Sequence, residues 1–385
     1  FPNVAVTANQ VATAGAVEAL GQGNALYNAV VSQTSVAGAQ QAFNALSGEV
    51  YPSALSIFQN ESLILRRAVL DRARVPVATP TSAPLAYAAK AAAGPFSAGS
   101  DVVTVPGTPN AFWAQGFGAW GQIDGNGNAA TISGNTSGVF VGYDRTFSPG
   151  LGDWRLGFAA GYSASSYQVD ARSSSFSSDN AHVALYGGGT VGAWGLRFGG
   201  AYSWADMSAS RTVVFPGLFN QLTADTTART GQVFGEVGYA LSFASVGLEP
   251  FAGLAYVNVD LDDFSETGGP SALTSSGASE GVTYSTLGAR ISVPLALGTI
   301  ATSFKGTLAW QHAFGDTAPE ALFAFGPGAQ PFAISGAPIA ADAALVEAGL
   351  DMAFTATTTL SVFYAGQLAE TDTNNMVKGS FAIRF

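Results

Sequence analysis

A catalytic reading of this 385-residue chain has little to work with: two histidines, no cysteine, and nothing that brings the histidines together. Within the alternating segments that hold them, His182 takes the inward phase and His312 the outward one. A Ser-His-Asp hydrolase needs its base within hydrogen-bond reach of the nucleophile, so that class is disfavoured. "GGGTVG" (187–192) matches G-x-G-x-x-G, but it spans a strand end and a short turn with no helix after it to offer an N-terminus to phosphate. "DGNGN" (124–128) and "DLDD" (260–263) place oxygens in loops without the ligand spacing of an EF-hand, and read as solvated loop tips. The expectation is a chain that is not an enzyme, with no cofactor and no metal site.

Charge on one face of alternating segments is the feature that stands out. Arg155, Arg197, Glu236, Glu249, Arg290, Lys305, Glu347 and Asp351 all take the phase opposite to the apolar residues. A helical segment at 49–74 adds a basic cluster of Arg66, Arg67, Arg72 and Arg74 in its last turns, the favourable sign for a helix C-terminus. Two readings are open. Any water-filled barrel has a polar lining; alternatively, Glu236, Glu249, Glu347 and Asp351 face the basic end of the helix and hold it without gripping. In wet surroundings such pairs contribute about 0–1 kcal/mol each, enough to orient a plug but not to lock it.

The elements that would position these charges follow from composition and period. Charged residues are 11% of the chain, against about 25% in ordinary soluble proteins. Yet the longest apolar stretches, such as "VPLALGTIA", fall well short of the ~20 residues a membrane helix needs. Lipid demands that every backbone group be paired internally, which leaves a closed β-barrel. The net charge of −11 excludes the basic footprint of a nucleic-acid binder. Residue 1 is Phe and no signal peptide is present, so the chain is expected to be a piece of a longer precursor.

Three regions are expected. Residues 1–75 are Ala-rich with helical spacing, opened by "TANQ" (Thr7 to Gln10) in capping-box form, and a longest helix with Leu55, Phe58, Ser62, Leu65, Val69 and Arg72 along one stripe. Residues 76–110 are a Pro/Ala-rich flexible linker. From 111 to 385 the period is two: "WRLGFAAGY" sets Trp154, Leu156, Phe158 and Tyr162 against Arg155 and Gly157, and "WGLRFGGAY" repeats it. Twelve such runs alternate between short connectors and longer polar ones at 124–135, 165–179, 206–228, 261–281 and 314–338. Short turns on one rim, long loops on the other and aromatic residues near both strand ends are the pattern of an outer-membrane barrel. A soluble sandwich would carry Lys, Glu and Thr on its outward faces; here the non-apolar faces are largely Gly, Ala and isolated charges. The fold class expected is thus an all-β membrane protein, a 12-stranded antiparallel transmembrane β-barrel.

"FWAQGFGAWGQIDGNGNA" (112–129), "SGVFVGYD" (137–144), "LEPFAGLAYVNVD" (248–260), "STLGARIS" (285–292), "DAALVEAGLD" (342–351) and the closing "VKGSFAIRF" resemble, in that order, the C-terminal translocator domain of bacterial type V autotransporters. Segment 1–75 resembles the helical stretch that precedes this domain. The resemblance implies insertion in the bacterial outer membrane, a helix or linker crossing the lumen, and an N-terminal passenger at the cell surface. It implies as partners outer-membrane lipid, the passenger, periplasmic chaperones and the barrel-assembly machinery, the last reading Phe381, Ile383 and Phe385 in the final strand of a monomeric barrel. Some relatives cleave themselves inside the barrel, but no stretch here matches closely enough to assign cleavage residues. The 35 residues of the linker are long enough to thread the pore themselves, at roughly 110 Å extended; the expectation is nevertheless that the helix fills the lumen. Two other functions remain open, a free-standing porin with a helical plug and an outer-membrane hydrolase whose site lies among the long loops.

Overall fold

The computed structural model describes residues 1–74 and 109–385, apart from 149, 151, 244, 298 and 299. The linker expected at 76–110 therefore lies almost wholly outside the described residues. Four helices come first: α1 (Ala8–Leu20), α2 (Ala25–Val31), α3 (Val36–Leu46) and α4 (Val50–Ala73). The first three start where the side chains of Thr7, Asn24 and Ser35 accept backbone N–H bonds from Gln10, Leu26 and Gly38, relieving the unpaired donors of each first turn. The capping box at Thr7 closes one residue early, because Gln10 Oε1 accepts from Val6 N at 2.9 Å. Gly48, at φ 74°, turns the chain sharply between α3 and α4, a backbone region that costs glycine nothing.

Twelve long strands then form an antiparallel ring: β1 (Asn110–Ile123), β2 (Ile132–Phe147), β3 (Asp153–Val169), β4 (Ser174–Val191), β5 (Trp194–Phe215), β6 (Leu218–Tyr239), β7 (Val246–Leu261), β8 (Ala278–Leu297), β9 (Ile300–Phe314), β10 (Asp342–Ala353), β11 (Thr358–Leu368) and β12 (Asp372–Arg384). Each pairs with its neighbours in sequence, and β12 closes the ring on β1 with Arg384 opposite Ala111. Closure leaves no open sheet edge in the hydrocarbon, as a lipid solvent requires.

Outward residues define the band that meets lipid. Leu156, Phe158, Val183, Leu185, Val233, Leu254 and Leu308 are all exposed on it. Trp154, Trp194 and Tyr239 sit towards the rim with short turns, while Tyr162, Tyr202, Trp204 and Trp310 sit towards the rim with long connections.

Beyond that second girdle the structure departs from expectation. The connectors at 165–179 and 206–228 are not loops but continuations of strand, leaving only 170–173 and 216–217 as turns. The alternation persists with its polarity inverted. Ser208, Ser210 and Asp225 now point out to water, while Met207, Val213, Phe215 and Leu222 point in and are buried. A serine-rich run resembles a loop only when judged by the rule that apolar residues face out, and above the membrane that rule reverses.

The inward apolar residues are covered by a cap. Helices α1–α3 lie against the extended end of β5 and against a small four-stranded sheet built from Phe264–Ser265, Thr274–Ser275, Glu320–Ala324 and Phe332–Ser335. Asn9 joins helix to loops, its side chain donating to Ser335 O (2.8 Å) and accepting from Ser335 N (2.9 Å), while its backbone N–H donates to Asn128 (2.7 Å).

Candidate functional site

Helix α4 runs through the lumen of the ring. Residues 50–59 at the loop rim are almost all buried, so the helix is enclosed on every side there and not only along the expected stripe. Two glycines allow the approach. A Cβ on Gly336 would lie 2.4 Å from Ser53 N, and one on Gly188 would lie 2.8 Å from Ala73 O. The second explains "GGGTVG", whose Gly188 makes room for a helix C-terminus rather than for phosphate.

At the loop rim the helix is tied to the cap and its loops by polar contacts cut off from water. Tyr51 OH donates to Glu266 Oε1 (2.7 Å), and Arg211 holds the same carboxylate through Nε (2.6 Å) and Nη2 (2.8 Å). Ala337 N donates to Ser53 Oγ (3.0 Å), and Ser56 Oγ donates to Ala337 O (2.5 Å). Glu49, before the first turn of α4, meets Arg172 (3.0 Å) and accepts from Ala130 N (2.8 Å). Burial nevertheless pushes its carboxyl above the ordinary value, outweighing Arg172 and the backbone bond.

In mid-lumen Arg66 donates to Gln232 Oε1 (3.0 Å), which returns a bond from Nε2 to Ser62 O (3.0 Å). Glu61 takes bonds from Thr136 and from Ser165 Oγ (2.9 Å). At the turn rim three clusters form. Asp144, 0% exposed, accepts from Arg72 Nη2 (3.0 Å) and Tyr186 OH (3.0 Å) and forms an ion pair with Arg155, whose Nε lies 3.1 Å away. Arg197 and Arg290 lie between Glu236 and Glu249, with Arg74 of the helix 3.7 Å from Glu236. Lys378 joins Asp71 of the helix to Glu347 (3.2 Å), and Lys305 pairs with Asp351.

All eight expected lumen charges point inward, yet their partners differ from expectation. Of the four carboxylates meant to face the basic end of α4, Glu236 reaches Arg74, whereas Glu249, Glu347 and Asp351 pair with cations of the wall itself. A further carboxylate that grips the basic end of the helix is Asp144, for which the period-two phase in "SGVFVGYD" was an available signal: Val139 and Val141 are exposed, and Asp144 takes the other phase. Nor are the pairs wet, since Arg155, Arg197, Glu249 and Asp144 are all buried, so the surface value of 0–1 kcal/mol does not apply.

The remaining chemical candidates are absorbed by structure. Asn126 and Asn128 of "DGNGN" serve a local turn and the contact with Asn9. In "DLDD", Asp262 pairs with Arg229 (2.6 Å) and Asp260 accepts from Ser279 (2.6 Å). One G-x-S-x-G match, Gly277 to Gly281, opens strand β8 with Ser279 exposed and no histidine beside it. His182 lies inside the wall between Ser163 (2.9 Å) and Ser203 (2.7 Å), and His312 lies outside beside Asp342 (2.8 Å). No group able to hold a metal ion occurs among the described residues.

The comparisons agree with this architecture. Residues 112–365 match the family model of the autotransporter beta-domain. An extracellular serine protease of Serratia marcescens is 33% identical over 367 residues, covering 94% of this chain and 32% of the relative. The chain thus spans about a third of the length of the curated relatives it matches. Among solved structures, the translocator domain of NalP from Neisseria meningitidis superposes with a TM-score of 0.64 at 15% identity, over 88% of this chain and all of that one. The transport unit of AIDA-I from Escherichia coli gives 0.54 at 16%, covering 71% of this chain and 90% of the other. A family match over most of the ring, the closed twelve-stranded barrel and the helix through its lumen identify this chain as a member of the autotransporter beta-domain family, an outer-membrane translocator barrel.

Proposed function

We propose that this chain is the membrane unit of a longer exported protein, delivering or anchoring at the cell surface a passenger that precedes residue 1. Its place within relatives three times its length, named as extracellular serine proteases, supports a passenger of that kind. In this reading residues 1–75 are the segment that follows the passenger through the lumen, 76–110 the linker, and 111–385 the barrel. The observation that carries it is α4 enclosed in the lumen with its N-terminus at the loop rim and its C-terminus at the turn rim. That is the direction a chain takes if everything before it lies outside. The lumen charges and the basic end of the helix hold this final state, leaving the pore closed.

The exposed Phe381 and Ile383 of the last strand, with Phe385 just after it, are the proposed signal for the barrel-assembly machinery, after escort by periplasmic chaperones. Planar-bilayer conductance of 1–385 against 76–385 tests the plug: the shortened chain should conduct more, and equal conductance would refute closure by the helices. A reporter domain fused before Phe1 tests delivery. It should become sensitive to protease added outside intact cells, and a reporter that stays protected while the barrel inserts overturns the reading. Phe385→Asp should reduce insertion of the barrel; normal insertion would remove that residue from the signal.

A further inference from the structure

Under the last turn of α4, at the turn rim, the lumen opens into a cavity of about 120 Å³ that plugging leaves unfilled. Its wall is cationic in a protein whose net charge is −11. Across this cavity and the adjoining clusters, the eight cations Arg72, Arg74, Arg155, Arg197, Arg290, Lys305, Lys378 and Arg384 stand beside six carboxylates, Asp71, Asp144, Glu236, Glu249, Glu347 and Asp351. Seven of these cations have a carboxylate partner, whereas Arg384 has no ion pair among the described residues, and its Nη1 is buried without a hydrogen bond. An independent observation comes from the strand beside it. Gln115 of β1 is 4% exposed, borders the cavity, and its Nε2 donor has no partner among the described residues. A buried donor left unpaired costs about 1–3 kcal/mol, so its retention at this spot points to something that accepts from it. Ser361 and Ser380 add hydroxyls to the same wall.

We propose that this cavity is a binding site for a phosphate group, seated between the Arg384 guanidinium and the Gln115 amide at the seam where β12 closes on β1. Arg384, the one cation of these eight without a carboxylate, calls for an anion beside it. A guanidinium fork with amide and hydroxyl donors matches a tetrahedral oxyanion, which accepts from several directions at once. The group could be free inorganic phosphate or the headgroup phosphate of a lipid; both present the same oxygens. The site rests on the cavity and its donors and does not depend on what the passenger does.

The test uses the full chain refolded in zwitterionic detergent. Calorimetric titration with sodium phosphate is run against sodium chloride at matched ionic strength, and a second arm compares phosphatidylglycerol with phosphatidylcholine vesicles by thermal unfolding. One-to-one saturable binding of phosphate is expected, weakened about tenfold or more by Arg384→Gln and about threefold or more by Gln115→Leu. Arg229→Gln, far from the cavity, should bind as the parent does. If Arg384→Gln fails to insert, Gln115→Leu decides alone. Stabilisation by phosphatidylglycerol alone, lost in the same variants, would assign the site to a lipid headgroup. Phosphate indistinguishable from chloride together with no lipid effect overturns the proposal, as does binding that both variants leave unchanged.

Discussion

Replacing Asp144 by Asn asks whether the lumen grips its helix. The carboxylate is fully buried, accepts from Arg72 of α4 and from Tyr186, and forms an ion pair with Arg155 of the wall. Asn keeps the shape and removes the charge, leaving two guanidiniums without a counter-ion in a site closed to water. Breaking a buried pair by removing one partner costs about 3–5 kcal/mol. At 1.4 kcal/mol for each factor of ten, that is roughly a hundredfold to a few thousandfold in the equilibrium for helix docking. The readout is a urea titration of the refolded protein, followed by near-ultraviolet circular dichroism and by proteolytic nicking within α4. Adding Arg72→Met to Asp144→Asn should recover part of the loss, because the stranded charge goes with it; the coupling expected for contacting residues is about 0.5–3 kcal/mol. A single variant that costs under about 1 kcal/mol would place the cluster with ordinary solvated surface pairs and refute the argument.

Gly188→Leu should prevent the last turn of α4 from docking, since even a Cβ there would lie 2.8 Å from Ala73 O; conductance should rise, and an unchanged closed pore would show that the helix end is free to shift. Tyr51→Phe removes the donor to Glu266 while Arg211 keeps the carboxylate paired. A loss of about 0.5–1.5 kcal/mol in cap stability is expected, and protection of α1–α3 from protease reports it. Glu49 supplies a pH dependence. Its carboxyl is raised by burial, so the folded cap binds that proton more tightly than the unfolded chain does, and the associated stability is full below 4.5 and lost as pH rises through the folded value. Glu49→Gln should flatten cap stability over that window, and an unchanged slope would discount this group.

The sequence by itself determined the membrane-facing part of this protein. Twelve alternating runs with lipid-compatible residues on one phase leave no other way to pair every backbone group, and the same phase directed Arg155, Arg197 and Glu249 inward. It could not reveal where that phase would reverse. Ser208 and Met207 exchange roles only because β5 rises out of the hydrocarbon into water beneath a cap, and period alone does not say which medium a strand stands in. The ion pairs were hidden for a related reason. Which cation meets which carboxylate depends on the register of twelve strands and the depth of one helix, so Asp144 meets Arg72 across 72 positions of chain, and Lys378 meets Asp71 across 307. Burial then sets their worth, and burial is a property of the closed ring with its helix in place. Only the tertiary structure turns a polar lining into a grip.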